Sequence, residues 1–338
     1  KLGEVFFQTS KYVNPKESNL ELWSLTVENG LTPKTERYNR EFLVKKEDQF
    51  KSVDHNEFIY NPMNMTLGAV DLNLTGKTVA VSGYYITMLS KDGFDSKYFS
   101  IWLKLPLAIK MYKLYATGSL IERQRVQFPT LSQIKSSVPQ IEEQTKIGSF
   151  FKQLDDTIAL HLCKQRQLGL LKQRLIKEIL PQSDSTLPHL RFANFRKPWE
   201  QHQLKEVLKV NSGRDYKHLN EGNIPVYGTG GYMLSVDGKL SDVDGIGLGR
   251  KGTIDKPQYL KAPFWTVDTL FYAFPKGKNE LNFLNCIFQN IDWKKKDEST
   301  GVPSLSKTTI NDVDIYVPEE EEQKAIGEYF LNIDNLIT

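Results

Sequence analysis

Apolar residues recur every three or four positions along one long segment in the middle of the chain. The residues of this stripe are Ile147, Phe151, Leu154, Ile158, Leu162, Leu168, Leu171, Leu175 and Ile179. Such spacing places apolar side chains on one face of a helix. Acidic residues suit its first turn, and Pro181 ends it. The pattern predicts a helix from Glu142 to Leu180, about 58 Å long at ~1.5 Å per residue, which needs a long helical partner.

Shorter apolar runs, separated by glycines and other turn residues, lie on both sides of this helix. Before it, strands are predicted at residues 57–60, 77–81 and 84–88. Residues 97–115 predict a helix that is interrupted at Pro106. A second strand-rich block follows the long helix and extends to about Pro318. Strand-rich blocks and long helices together predict an α+β fold.

The chain contains an internal repeat. Residues 130–158 recur without a gap as residues 309–337, and the prolines that open the motif are 318 − 139 = 179 positions apart. A weaker echo pairs residues 2–5 with residues 204–207, at an offset of 204 − 2 = 202. Because the offsets differ, the repeated segments flank two blocks of unequal length and dissimilar sequence. We interpret this as one scaffold that carries two different specificities.

Composition excludes several classes of protein. The 44 basic and 41 acidic residues give a net charge of +3, which is compatible with nucleic-acid binding only through local basic patches. The two cysteines lack CxxC spacing and a histidine pair, so neither a disulfide framework nor a metal site is expected. No apolar run approaches the ~20 residues that span a membrane, and no signal peptide is recognisable. We expect a cytoplasmic protein.

Several motifs together resemble those of the specificity subunits of type I restriction–modification systems. The resemblance covers the whole chain and depends on the repeated helix start most of all, because that motif is the most specific. The motifs are Leu190-Arg191-Phe192 with Trp199-Glu200-Gln201, Pro139 with Glu142-Glu143-Gln144, Ile147, Gly148 and Phe151, the second copy from Pro318 to Phe330, and the stretch from Gly222 to Gly231.

The resemblance implies an α+β fold in which two strand-rich target-recognition domains, in pseudo-twofold repeat, are separated by long coiled-coil helices. Residues 1–138 would form the first target-recognition domain, and residues 139–182 the central helical spacer. Residues 183–317 would form the second target-recognition domain. Residues 318–338 would be the truncated start of a distal helical region.

The resemblance also implies a function. A specificity subunit is non-catalytic and recognises a bipartite target on double-stranded DNA. It directs two methyltransferase subunits and, through the complex, the restriction subunits that translocate and cleave DNA. No cofactor is expected in this chain.

Basic and polar side chains on predicted turns are the candidates for DNA contact. Lysine and arginine neutralise phosphates, and arginine suits guanine through its two-pronged donors. About half of such residues would be expected simply to face solvent. The candidates are Arg37, Arg40, Arg123, Arg125, Arg214, Lys217, Tyr227, Thr229, Arg250, Lys251 and Lys256.

The repeated helix starts are the candidates for partner contact. Similar helix starts beside unlike DNA-reading blocks indicate two equivalent docking sites, consistent with two methyltransferase subunits. Some of the apolar members are expected to be core residues instead. The candidates are Glu142, Glu143, Gln144, Ile147 and Phe151 in the first copy, and Glu321, Glu322, Gln323, Ile326 and Phe330 in the second.

Two other classes of function stay open at the level of the sequence. One is a bifunctional modification or restriction enzyme. Against it, Asn61-Pro62-Met63 departs from the adenine-methyltransferase motif and is better interpreted as a turn, and the glycines at 245–252 lack the register of a nucleotide-binding loop. We expect those glycines to form tight turns or a flexible loop. The other class is a coiled-coil adapter that binds protein rather than DNA.

Overall fold

The structure is a computed structural model that describes residues 1–34, 49–118, 124–181 and 186–337, apart from the side chain of Lys16. The chain forms two compact units, Lys1–Leu160 and His161–Thr338, and each includes part of the central helix. Within the described residues, no helix is long and apolar enough to cross a membrane.

The first unit is built on antiparallel sheets. Its elements are α1 (Leu2–Val5), β1 (Phe6–Thr9), β2 (Tyr12–Val13), α2 (Pro15–Ser18), β3 (Trp23–Thr26), β4 (Gly30–Pro33), β5 (Phe50–Val53), β6 (Phe58–Tyr60), β7 (Val70–Leu72), β8 (Val79–Ser82), β9 (Ile86–Ser90), α3 (Ser96–Trp102), α4 (Pro106–Tyr115), α5 (Phe128–Gln133) and the start of α6 (Ile141–Ile179). The main sheet has the order β1-β9-β6-β7, beside sheets β2-β5-β8 and β3-β4. Edge-to-face rings in the core join Phe6 to Phe58 and Phe99.

The second unit also contains a four-stranded antiparallel sheet. Its elements are β10 (Glu200–Gln203), α7 (Leu204–Val207), β11 (Leu208–Ser212), β12 (Glu221–Gly228), β13 (Gly231–Val236), β14 (Gly245–Gly249), β15 (Gln258–Leu260), β16 (Trp265–Thr266), β17 (Leu270–Pro275), α8 (Leu281–Asn290), α9 (Lys307–Asn311), β18 (Asp314–Val317) and α10 (Glu320–Ile337). The main sheet has the order β11-β17-β14-β15, beside sheets β13-β12-β16 and β10-β18. Unlike the strands of the first unit, β12 and β16 pair in parallel.

The structural repeat follows the sequence repeat. The short helices α1 and α7 each lead into the first strand of a four-stranded antiparallel sheet, and the two sheets connect their strands in the same order. The weak echo of residues 2–5 in residues 204–207 therefore marks equivalent helices. The predicted interruption at Pro106 is confirmed, because α3 ends at Trp102 and α4 begins at that proline.

The long helix is confirmed, and in the second unit it has the predicted partner. Lys172 Nζ lies 2.6 Å from Asp334 Oδ1, and Gln165 Nε2 donates to the backbone oxygen of Ile337 at 2.8 Å. Residue numbers fall along α10 as they rise along α6, so the helices are antiparallel. Ile176 and Ile179 of α6 share one core with Ile326 and Phe330 of α10. This packing resembles coiled-coil pairing, but it covers only the end of the predicted stripe. Five other members of the stripe are exposed, namely Phe151, Leu154, Ile158, Leu162 and Leu171.

Candidate nucleic-acid interface

A concave surface of about 750 Å³ opens beside the turn between β12 and β13. The turn contributes residues 228–233, and the loop after β11 contributes residues 215–217. Residues 267–269 form the remaining wall. A tight turn is possible there because Gly231 has a φ of 109°, in the left-handed region that favours glycine.

A second concave surface, of about 640 Å³, lies at the end of β14. Arg250 and Lys251 line it from one side, and the segment of residues 304–307 lines it from the other. Asp268 and Thr269 line both concavities, which are therefore adjacent. We call the two together the recognition surface.

Main-chain hydrogen bonds hold Arg250 and Lys251 in place. The N–H of Arg250 donates to Thr269 O at 2.8 Å, and the N–H of Leu305 donates to Arg250 O at 2.9 Å. The N–H of Gly252 donates to Pro303 O at 2.8 Å. The two basic side chains are exposed although their backbone is fixed. Arg250 lies over the ring of Phe271 at 5.9 Å, and its Nη1 is 3.5 Å from Asp268 O. A fixed backbone with exposed cationic side chains suits contact with phosphates.

The β12–β13 turn is fixed in a similar way. Gln258 Nε2, on β15, donates to the backbone oxygens of Gly228 at 2.9 Å and Thr229 at 3.3 Å. Trp265 Nε1 donates to Arg214 O at 2.9 Å, which anchors the loop before Lys217. The β-sheet core of the second unit thus positions both sides of the first concavity.

Asp297 organises the loop that carries residues 304–307. Its Oδ1 atom accepts hydrogen bonds from the N–H groups of Ser299 and Ser304, both at 2.9 Å. These backbone donors lower the pKa of Asp297 because they stabilise the carboxylate. Ser306 then caps α9 by accepting from the N–H of Thr309 at 3.0 Å.

The recognition surface carries charges of both signs. Its basic side chains are Lys217, Arg250, Lys251 and Lys307, and Asp215 and Asp268 lie among them. Exposed Tyr232 adds an aromatic ring beside the β12–β13 turn. The surface can therefore donate to phosphates and base edges, whereas its carboxylates accept only from donors such as the cytosine amino group.

The predicted DNA contacts divide into four groups. Lys217, Thr229, Arg250 and Lys251 line the recognition surface. Arg214 and Tyr227 lie next to it in the chain without lining it, and Tyr227 packs its ring edge-on against Tyr232 at 6.5 Å. Lys256 and Arg125 are exposed elsewhere in the second and the first unit, respectively. Arg37, Arg40 and Arg123 lie outside the described residues.

Sequence reasoning missed Tyr232, Met233 and residues 304–307. Tyr232 directly follows the Gly230-Gly231 pair, so the turn signal alone could have included it. Residues 304–307 have no comparable signal, because long-range bonds, from Leu305 to Arg250 and from Gly252 to Pro303, bring them to the surface.

The glycine run at 245–249 is a correction to the sequence interpretation. We expected tight turns or a flexible loop, but these residues form the buried strand β14. A side chain at Gly247 would press on Leu260 of the neighbouring strand, with a Cβ distance of 3.2 Å. The glycines therefore permit close strand packing, and the turn begins only at Arg250.

The predicted partner residues differ between the two copies. In the first copy Glu142, Glu143 and Phe151 are exposed, Ile147 is half-buried and Gln144 is buried. In the second copy only Glu321 is exposed. The residues buried in the second copy are Glu322, Gln323, Ile326 and Phe330. The core of their own unit covers Gln144 and these four, as expected for some of the apolar members, so the exposed candidates for partner contact are Glu142, Glu143, Phe151 and Glu321.

Glu322 has an internal partner. Its side chain is fully buried and accepts from Arg191 Nε and Nη2, each at 2.7 Å. This bidentate pair raises the pKa of Arg191. Arg191 also donates to Lys197 O at 2.6 Å, so it ties the segment before β10 to α10. The Leu190-Arg191-Phe192 motif thus has a structural role.

The comparisons with known proteins agree with this architecture. A family model described as the type I restriction modification DNA specificity domain matches residues 3–169 and 196–338. The crystal structure of a type I restriction-modification system S subunit from M. genitalium is 17% identical, with a TM-score of 0.69 over 99% of this chain and 88% of that one. A structure described as the basis of complex assembly and conformational transition of the type I R-M system is 13% identical, with a TM-score of 0.54 over 100% and 90%. No curated protein matches the sequence significantly.

Proposed function

Because the chain belongs to the family of type I restriction–modification DNA specificity domains, which supply recognition of DNA sequence, we propose that each strand-rich domain reads one half of a two-part target on double-stranded DNA. The bounds proposed for these domains are residues 1–138 and 183–317, with helical regions at 139–182 and 318–338. Support comes from the repeat, in which the scaffold helices share a sequence and the two blocks do not.

The recognition surface is the observation that carries the proposal. Exposed Lys217, Arg250 and Lys251 stand on turns whose backbone is fixed by hydrogen bonds. Cations of this kind supply affinity through phosphates, and neighbouring polar groups such as Thr229 and Tyr232 are placed to contact base edges. In the first domain we propose the same role for Arg37, Arg40, Arg123 and Arg125, and in the second also for Arg214, Tyr227 and Lys256.

The chain itself is proposed to be non-catalytic. The Asn61 side chain, which a methyltransferase would use on its substrate, accepts from the N–H of Met63 at 3.0 Å and forms part of a turn. Methylation and cleavage would therefore belong to partner subunits, two methyltransferases and the restriction subunits bound through the complex. Cytoplasmic localisation is part of the same proposal.

The methyltransferase subunits would dock on the exposed residues of the two helix starts. Glu142, Glu143 and Phe151 offer such a surface on α6, and Glu321 offers the equivalent position on α10. Charge reversal at Glu143 or Glu321 should each release one partner during co-purification. If both variants still co-purified with two methyltransferase subunits, the docking surface would have to lie elsewhere on the chain.

Salt dependence of DNA binding tests the recognition proposal. The complex with its methyltransferase partner should bind a duplex that carries its methylome-mapped target, and affinity should be measured from low to moderate salt. Lys217→Ala and Lys251→Ala should each lower the slope of log K against log salt by about 0.9 for every phosphate that the variant no longer neutralises. Exposed Lys209, on β11 and outside the recognition surface, provides the matched control Lys209→Ala. Equal slopes for all three variants and the parent would refute the proposal.

A further inference from the structure

A buried glutamine joins the scaffold helix to the recognition domain in the second unit. Gln323, in the first turn of α10, accepts from the N–H of Glu280 at 3.0 Å through Oε1. Its Nε2 donates to Pro318 O at 3.0 Å. Glu280 is the N-cap of α8 and accepts from the N–H of Phe283 at 2.6 Å. One amide thus bridges the start of the scaffold helix and the start of a domain helix.

The first unit contains the same joint. Gln144 accepts from the N–H of Asp95 at 3.1 Å through Oε1, and its Nε2 donates to Pro139 O at 2.8 Å. Asp95 is the N-cap of α3 and accepts from the N–H of Tyr98 at 2.7 Å. Both glutamine side chains are almost fully buried, Gln144 at 2% and Gln323 at 4% exposure.

A glycine one turn later makes the close approach possible in both joints. A Cβ at Gly148 would lie 2.6 Å from Asp95 Oδ1, and a Cβ at Gly327 would collide with the Glu280 carboxylate. The helix backbone and the cap residue are therefore in direct contact. At Gly148 a Cβ would also lie 2.6 Å from the backbone nitrogen of Tyr98, so a larger residue must move the domain helix; at Gly327 it must displace the capping carboxylate of Glu280.

The joint combines a constant part and a variable part. The glutamines and glycines are separated by the repeat offset of 323 − 144 = 179 positions, whereas the caps are 280 − 95 = 185 positions apart. Each cap therefore belongs to the dissimilar block, yet it meets the scaffold through the same bonds. Both caps are acidic, and both expose their backbone N–H to the glutamine.

We propose that Gln144 and Gln323 are positioning residues that fix the orientation of each recognition domain on its scaffold helix. The inference depends on the proposed function, because orientation matters only if two domains read two half-sites at one separation. Rotation of a domain about the helix start would break the hydrogen bond from the cap N–H to the amide oxygen, which joins the domain to the scaffold helix. A rigid joint therefore restricts the number of unspecified base pairs between the half-sites.

Gln144→Met and Gln323→Met test this role, since methionine keeps the length of the side chain and removes all of its hydrogen bonds, including the one from Gln323 Nε2 to Asn279 Oδ1. The complex with its methyltransferase partner should be given duplexes with the mapped half-sites and a randomised gap. We expect unchanged half-site sequences and up to about tenfold more methylation at gaps one base pair from the preferred length. Val313→Ala, in the core of the second unit and away from the joint, is the control for lost stability.

The inference would be overturned if Gln144→Met and Gln323→Met preferred the same gap length between half-sites as Val313→Ala does, even if both variants lose stability. A wild-type complex that methylates no two-part target would refute the proposed function and this inference with it. Hydrogen exchange on the unbound chain gives a second readout. Gln323→Met should speed exchange of the Glu280 amide about tenfold relative to Val313→Ala. Equal exchange in the two would also count against the joint.

Discussion

Removal of Arg191 should strongly destabilise the second unit. Arg191→Met leaves the Glu322 carboxylate, which has no exposed surface, without its bidentate partner. Loss of one member of a buried ion pair typically costs about 3–5 kcal/mol, because an uncompensated charge stays in the interior. Arg191 itself is only 14% exposed, so solvent screens the pair little. We therefore expect the full range to apply.

The repeat provides the matched control. Glu143 occupies the position of Glu322 in the first copy but is exposed. Glu143→Gln should therefore change the free energy of unfolding by less than about 0.5 kcal/mol, as for ordinary surface substitutions. A double replacement, Arg191→Met with Glu322→Leu, should recover much of the stability, because it removes the buried charge as well as its partner.

Urea unfolding, followed by tryptophan fluorescence, measures the difference. Trp199 reports on the relevant region because it is buried against Phe283 in the same core as α10. With a slope of about 2.5 kcal/mol per molar urea, Arg191→Met should lower the midpoint by between about 1 and 2 M. The raised pKa of Arg191 keeps it charged in the parent at pH 7, where the two proteins are compared. Equal midpoints for Arg191→Met and Glu143→Gln would refute the reasoning.

Three further predictions concern single side chains. Gly169→Ala on α6 should stabilise the chain by up to about 1 kcal/mol, because a Cβ there meets nothing within 4 Å. Gly327→Ala gains the same helix propensity but should destabilise the chain, because its Cβ would collide with the Glu280 carboxylate. Thermal unfolding compares the two variants. Lys172→Met should lower the free energy of unfolding in urea by on the order of 1 kcal/mol, because it removes the ion pair between the 10%-exposed Lys172 side chain and the 41%-exposed Asp334 side chain; an unchanged midpoint would contradict this. Asp297→Ala should weaken DNA binding at pH 7, and the parent should show no change between pH 6 and 8. Because the pKa of Asp297 is lowered, the ionised carboxylate stabilises the loop fully at any pH above the ordinary pKa of an aspartate. This stabilisation is lost only as the pH falls through the lowered pKa. Weaker binding by the parent at pH 6 than at pH 8 would therefore contradict the assignment.

Local periodicity made the scaffold predictable. The stripe predicted a helix from Glu142 to Leu180, and α6 extends from Ile141 to Ile179. The repeat likewise predicted equivalent elements around two different blocks, since it compares the chain with itself and needs no knowledge of tertiary packing.

Exposure within the repeat was not predictable from the same pattern. Phe151 and Phe330 occupy equivalent positions, yet they are 40% and 1% exposed. The difference depends on what packs across each helix, and the residues that cover Phe330 are distant in sequence. The prediction of turns at the glycines of β14 was wrong for a related reason. A strand rich in glycine is recognisable only when neighbours such as Leu260 are known to fill the space that its side chains would occupy.

In the candidate site, too, the residues that a local sequence signal marks were predictable, and those placed by distant contacts were not. Arg250 and Lys251 were accessible to sequence reasoning because a turn with adjacent cations is a local signal. Residues 304–307 were not, since hydrogen bonds across more than fifty positions bring them beside Arg250. Base-reading surfaces built from separate loops are therefore only partly visible in a single sequence.

The antiparallel packing of α6 on α10 has a consequence for synthesis of the chain on the ribosome. Lys172 and Asp334 are 162 positions apart, so the second half of α6 emerges long before the helix that covers it. At roughly 5–20 residues per second, Ile176 and Ile179 wait between about 8 and 30 s for that partner. During this interval the apolar stripe is open to chaperones and to aggregation, and slow translation of the second block lengthens the exposure.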